Sequence, residues 1–448
     1  GGETYYDFLD PVKDVVADNG IDSFGGYFGK YYTFPYTNGR AAMAMFEWYA
    51  VSGDRQAFDL GSKLTAFLRA FAPIWDNPDP ARFPDDGPGQ FAGHIHSYLP
   101  AAHAFTEEAS ARLKADPHDP IAANDIARAD AMYGFVKRRT QGDVLGNFGE
   151  MDGPDDMIRL GIALSQLGRG PYWEEVERWT RNILADRQID AETARRYIGN
   201  PATGDYATDH VGDKVTGMWF SDATHSLAVP HKAWMYDIDD ATNPMHAAWE
   251  VWAHTVTLKG NEARVNFALN RAGKYLDVKS DLPYRGRIEI VLKRDLGPVA
   301  ALAVRVPGWA ERGRVSVAAR ERGRERSLQP GRDWSWSEDG YVRLAAVRPA
   351  GSVILRFPIV VRQLPFRDIR SPDQWWYEGD YGSPRQNAAE TVEAFVGTFR
   401  GDTLVDASPR PKAGIPRFQR QSLAALPPHD VAPPSVRVRR FVAVSAPP

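Results

Sequence analysis

Three short stretches of this chain concentrate groups that can move protons, attack a carbon or hold a cation. The first is Glu150-Met151-Asp152, followed at once by Gly153-Pro154-Asp155-Asp156. The second is Asp237-Ile238-Asp239-Asp240, just ahead of Asn243-Pro244. The third is Gly93-His94-Ile95-His96-Ser97. Neighbouring carboxylates repel unless they are solvated, hydrogen-bonded, protonated or metal-bound. Alternating histidines can ligate a metal, orient a sugar hydroxyl or lie at a surface, and a His-x-His pair without a third ligand does not define a zinc site. Asp155 and Asp156 read as helix-capping acids, because carboxylates favour the positive end of a helix dipole. Glu150 and Asp152 precede that helix by more than capping needs. No phosphate-binding glycine loop, GxSxG elbow or HExxH motif is present.

The elements that must carry these groups are helical hairpins. Met157, Leu160, Leu164 and Leu167 recur at three- and four-residue spacing, which makes one apolar stripe. Gly168 reads as a C-terminal stop, and Pro171 as the opening of a second helix with Val176, Trp179 and Ile183 on one face. A similar pair precedes it: Met43, Phe46 and Tyr49, a break at Ser52-Gly53-Asp54, then Phe58, Leu64, Phe67 and Leu68. Residues 1 to about 38 read as irregular. Residues 73–89 read as a Pro/Asp/Gly-rich loop long enough to suggest a function. Further helices are predicted up to Lys114, over Ile121–Arg139, and from an N-cap at Asn243 with Pro244 in the first helical position. No fixed repeat period is visible, so a ring of paired helices fits better than a solenoid.

After Lys259 the apolar period changes from 3.6 to 2. ARVNFALN, GRIEIVLKR, VAALAVRVP, DGYVRLAAV and GSVILRFPIVV read as short strands of an antiparallel β-sandwich. The basic stretch Arg312–Arg326 reads as a solvated loop. Glu390–Phe399 reads as helix or strand, and 424–448 as extended tail.

Composition bounds the possibilities. The chain has 448 residues and a net charge of -4, which argues against nucleic acid or an anionic membrane surface as partner. No apolar run approaches the ~18 residues a membrane helix needs. With no cysteine there is no disulfide, thiolate nucleophile or thiolate-bound zinc. The 13 Trp, 18 Tyr and 21 Phe mostly serve packing, but a sugar cleft would use a few, because sugar rings lie flat on aromatic faces. Compartment stays open between cytoplasm, periplasm and secretion, and Gly1-Gly2 does not say whether the end is native.

At this point the residues carry a resemblance. GHIHSYLPAAHA, then GEMDGPDDMIRLGIALSQLGRGPYWEEVERWTRNIL, then DDATNPMHAAWEVW, then RVNFALNRAGKYLDVKSDLPYRGRIEIVLKR and LAVRVPGWA resemble the β-L-arabinofuranosidase family, glycoside hydrolase family 127, from about Gly39 to Val361. The resemblance implies an (α/α)6 helical toroid with the active site over residues 1–258. It then implies a β-sandwich over 259–365, with 366–448 as strands and tail packing on either. The family's hydrolases use a zinc-bound cysteine nucleophile held by a Glu-x-Cys element and a Cys-Cys pair. Here those positions read Glu150-Met151-Asp152 and Asp239-Asp240, and the family's sugar-contacting histidine matches His94. Every thiol has become a carboxylate. Oxygen ligands suit a hard cation such as Ca²⁺ rather than thiolate zinc. The family's upstream acidic Glu has no counterpart; between Ala131 and Gly149 only Asp143 is offered.

The sequence therefore reads as a glycoside hydrolase acting on a plant or bacterial oligo- or polysaccharide, with no nucleic-acid or membrane partner. Asp239 is the expected nucleophile or base, and Glu150 the acid, joined by Asp152 and Asp240. His94, His96, Trp219 and His225 are expected to line the cleft. A polysaccharide lyase using His94 or His96 with Tyr98 and an arginine is one alternative. An inactive carbohydrate-binding relative is the other.

Overall fold

The computed structural model describes residues 26–70, 95–140, 144–146, 152–170, 172–189, 191–206, 208–219, 239–369 and 392–409, with only the backbone described at some positions, among them 152, 239 and 240. The chain divides into two compact units. Of the described residues, one unit contains those up to 254 and from 361 onward, and the other contains 255–360.

The first unit is built from helices α1 (Gly26–Ser52), α2 (Arg55–Ala70), α3 (Ile95–Ala115), α4 (Pro120–Thr140), α5 (Asp152–Gln166) and α6 (Trp173–Trp179). A π-helical turn, Thr180–Leu184, continues α6; a short α7 (Val211–Val215) and α8 (Asp239–His254) follow. Consecutive helices pair as α1–α2, α3–α4 and α5–α6, while α1 also packs on α3, α3 on α5 and α5 on α8. The order places α1, α3, α5 and α8 side by side, each of the first three backed by its own partner. Ala42, Met43 and Phe46 of α1, Leu64 of α2 and Ala104 of α3 form one apolar cluster, so the sequence stripes do become the contact faces. Gly168 ends α5 as expected: at φ +77 it lets the Arg169 N–H reach back to the Leu164 carbonyl at 2.9 Å.

Strands β11 (Val361–Ile369), β12 (Val392–Arg400) and β13 (Thr403–Ser408) form an antiparallel sheet in this unit. Phe366, Phe395, Phe399 and Leu404 cluster with Leu145. Asn182, buried in the π turn, ties this sheet to the helices. Its amide donates to the Asp402 carbonyl at 2.7 Å and accepts from the Leu404 N–H at 2.9 Å.

The second unit has two five-stranded sheets around one core. The first sheet has the order β1-β2-β5-β9-β8, where β1 is Val256–Lys259, β2 Glu262–Val265, β5 Ala301–Arg305, β8 Ser335–Trp336 and β9 Tyr341–Leu344. The other has the order β3-β4-β10-β6-β7, with β3 Leu276–Ser280, β4 Arg287–Leu292, β6 Ser316–Glu321, β7 Arg324–Leu328 and β10 Gly351–Arg356. Val265, Leu302 and Val342 from one sheet join Ile288, Ile290 and Leu355 from the other in a single cluster.

Four features differ from the sequence expectation. Helix α1 begins at Gly26, so the glycine- and tyrosine-rich segment before Arg40 is largely helical: a helix anchored by Ala42, Met43 and Phe46 extends backward one residue at a time at little cost. Helix α8 begins at Asp239, which puts Pro244 inside its second turn rather than at its start. Not every pairing is antiparallel, because β2 runs parallel to β5. The chain between them forms β3 and β4 of the other sheet and so returns in the same direction. The basic stretch 312–326 is not a loop. It contains β6 and most of β7, joined through Arg322 and Gly323, both at positive φ. The expected loop 73–89 and the tail 424–448 lie outside the described residues.

Candidate functional site

Helical periodicity decides which polar groups can meet. On α3, His96, His103 and Glu107 fall at i, i+7 and i+11, on one face. Tyr36, Arg40 and Glu47 share one face of α1 by the same spacing. Asp152, Asp156 and Arg159 share one face of α5, and Asp239, His246 and Glu250 one face of α8. Helices α1 and α5 pack on α3, and α8 packs on α5, so that Glu107 of α3 feels Glu47, Arg159 and Glu250 in one polar seam.

At its centre, His96 Nδ1 lies 2.8 Å from Asp156 Oδ2, and both residues are buried. Arg40 Nη2 lies 3.2 Å from His96 Nε2. A guanidinium only donates, so Nε2 accepts and the ring proton sits on Nδ1, pointed at Asp156. The Tyr36 ring packs edge-on to His96 at 5.4 Å, and the Arg40 guanidinium lies 5.2 Å from the same tyrosine. Burial on its own would raise the Asp156 carboxyl, but His96, by its charge once acid protonates it and by its hydrogen bond, and then the charge of Arg40 outweigh burial and hold the group well below the usual carboxylate range.

His103 donates through Nε2 to the Asp156 carbonyl at 3.0 Å. Burial, then the nearby Arg159 guanidinium, push this imidazole down to about 3, so it stays neutral. Arg159 Nη1 stands 3.6 Å from Asp156 Oδ1, and its Nε and Nη1 have no hydrogen-bond partner among the described residues.

Further along the seam, Glu107 is half-buried. Burial, then Glu47 of α1 and Glu250 of α8, raise its carboxyl above the ordinary value. Burial would raise Glu250 too, but His246 and His254, 3.4 and 3.1 Å away, hold it below.

The residues singled out from sequence fall in several places. His96 is in the seam. Asp152 opens α5 one turn before Asp156, and Asp239 and Asp240 open α8. Glu150, His94, His225 and Asp143 lie outside the described residues. Trp219 is buried with its indole N–H donated to the Leu184 carbonyl at 2.7 Å, so its polar edge serves the backbone. Tyr98 does not join His96. Two residues on, it faces the other way and packs on Phe135 of α4 at 5.6 Å, so the His–Tyr–Arg set of a lyase is not assembled there. Asp155 and Asp156 are not solvated caps, since both are buried. Sequence reasoning missed Arg40, His103, Asp156, Arg159 and Glu107. The spacing of His96, His103 and Glu107 on a helix otherwise rich in alanine was the available signal.

The donor set does not fit thiolate zinc, because the chain holds no cysteine. Among the described residues no three His, Asp or Glu side chains are placed to hold a metal. No described helix is long and apolar enough to cross a membrane.

No protein-family profile and no curated protein matches the chain. Solved structures do. A GH127 β-L-arabinofuranosidase from Geobacillus stearothermophilus T6 aligns at 14% identity and a TM-score of 0.47 over 81% of this chain and 57% of its own. A chain described as a glycoside hydrolase aligns at 12% identity and a TM-score of 0.51, over 81% of this chain and 59% of its own. The chain thus spans less than two thirds of either neighbour. At these identities the likeness is one of fold: this chain shares its architecture of helices and β-sheets with a glycoside hydrolase.

Proposed function

We propose that this chain is a glycoside hydrolase, an (α/α)6-type toroid joined to a β-sandwich, acting on a plant or bacterial oligo- or polysaccharide through carboxylates. One observation carries the reading. Helices α5 and α8, which open with Asp152 and with Asp239-Asp240, pack on each other, and the faces bearing positions 152 and 239 also bear Arg159 and Glu250, both of which act on Glu107. Positions 152 and 239 thus share helix faces with Arg159 and Glu250, which supports the reading.

In this reading Asp239 acts as nucleophile or base and Glu150 as acid, with Asp152 and Asp240 beside them. Two carboxyl groups ~5 Å apart give retention, and ~6.5–9.5 Å inversion. Thiolate-bound zinc is excluded, because the chain has no cysteine. A hard cation such as Ca²⁺ suits four carboxylates and would order sugar hydroxyls.

The test is a panel of aryl glycosides and polysaccharides assayed for reducing-sugar release. Asp239→Asn and Glu150→Gln should each lower turnover on the order of 10³-fold or more. Binding without turnover would identify a carbohydrate-binding relative instead, and ultraviolet absorbance from an unsaturated uronate would identify a lyase. Loss of activity on chelation, restored by Ca²⁺, would assign the cation.

A further inference from the structure

Two long-range hydrogen bonds end on Asp156 of α5, and a third backs one of them. Asp156 receives His96 Nδ1 on its side chain at 2.8 Å and His103 Nε2 on its carbonyl at 3.0 Å, and Arg40 holds the far side of His96 at 3.2 Å. The three donors come from α1 and α3, more than fifty residues away in each case. An ionised carboxylate buried in the first turns of a helix is an expensive way to join helices, since a well-packed apolar contact of the same volume is often as stable or more so. What the polar link adds is direction. A hydrogen-bonded imidazole between a donor-only guanidinium and an acceptor-only carboxylate has a single proton arrangement and a single ring orientation.

We infer that His96 is a positioning residue: locked by Arg40 as the neutral Nδ1–H tautomer, it fixes Asp156 and so the first turn of α5, which begins with Asp152 one turn away. The edge of Tyr36 against the ring prevents it from turning, and Gly39 next to Arg40 lets the two helices come close enough for the link. A Cβ at Gly39 would stand 2.6 Å from the Pro100 carbonyl carbon of α3. The effect on turnover rests on the hydrolase reading above; the tautomer does not.

Two measurements test this. In protein labelled with ¹⁵N-histidine, the resonances that change most in Arg40→Gln and His96→Asn should show, near neutral pH, a protonated Nδ1 and an unprotonated Nε2. For turnover, an asparagine amide can place its N–H where Nδ1 sits, whereas glutamine reaches the Nε2 position. His96→Asn should keep most of kcat, while His96→Gln and His96→Leu should lose on the order of 10²-fold, the effect of misplacing a reacting group by about 1 Å, with KM little changed. An Nε2–H tautomer in the wild-type chain overturns the inference. So does equal kcat in His96→Asn and His96→Gln. A wild-type chain that hydrolyses no glycoside defeats the hydrolase reading only, and the nitrogen shifts then decide the tautomer.

Discussion

Arg69 Nη1 donates to both Glu108 Oε2 and Asp125 Oδ2, each at 2.8 Å, and neither carboxylate is exposed to solvent. The three residues come from α2, α3 and α4. Arg112 Nε, 2.8 Å from Glu108, and the Thr65 hydroxyl complete the shell. Arg69→Met would leave two buried carboxylates with one remaining guanidinium. It should destabilise the protein by about 3–5 kcal/mol, as for other buried pairs that lose one partner. Adding Asp125→Asn should recover part of that loss. Denaturant midpoints of the single and double variants measure the coupling.

The pH dependence of stability has a sign that can be worked out at His103. Its folded value of about 3 lies below the ordinary 6.5, so the unfolded chain binds the extra proton between them. Its contribution is complete above about 6.5 and fades as pH falls toward 3. Asp125, pushed up to about 7 chiefly by burial, works in the opposite direction between its ordinary 3.8 and 7. His103→Gln keeps an N–H donor without the titration. It should flatten the rise of stability with pH below 6.5 relative to the parent; urea midpoints across that range check this, and an unchanged slope would count against it.

Glu107 offers a prediction of opposite character. Its raised carboxyl is stabilised while protonated and loses that stabilisation as pH climbs through its folded value. Glu107→Gln should therefore melt higher than the parent at pH 7, with the gap closing in acid. A gap that widened in acid would contradict the burial and acidic neighbours assigned to it.

Asn182→Ala removes the amide that bridges the Asp402 carbonyl and the Leu404 N–H. Both backbone groups would be left buried and unpaired, for a loss of ~1–3 kcal/mol. Hydrogen exchange should quicken first along β12 and β13, ahead of the helices.

The hairpin α5–α6 was legible because local and tertiary demands agree there: Met157, Leu160, Leu164, Val176 and Trp179 of its apolar stripes are buried, and Gly168 supplies the backbone turn that stops the helix. The strands around Arg264, Ile290 and Val304 were legible by their alternation. Arg312–Arg326 misled because charge signals solvent, and an edge strand satisfies that signal with its side chains while its backbone pairs on one side. Asp156 misled because its position suits a helix cap, and nothing local reveals that His96, sixty residues earlier, folds over it. Pro244 misled because proline favours a helix start, although it is also tolerated one turn in. The seam was only half visible: each helix shows its own polar face, but which faces meet is set by packing order.

Among the described residues, strand β7 lies at the rim of its sheet, paired to β6 on one side only. Arg324, Glu325 and Arg326 are exposed along it, and Glu325 is engaged by Arg320 and Arg356 from the interior of the same sheet. Any second molecule adding a strand there would have to strip water from this row of charges and compete with those arginines for Glu325. The rim therefore discourages templated growth, and a crowded solution of this protein should resist fibril formation from that side.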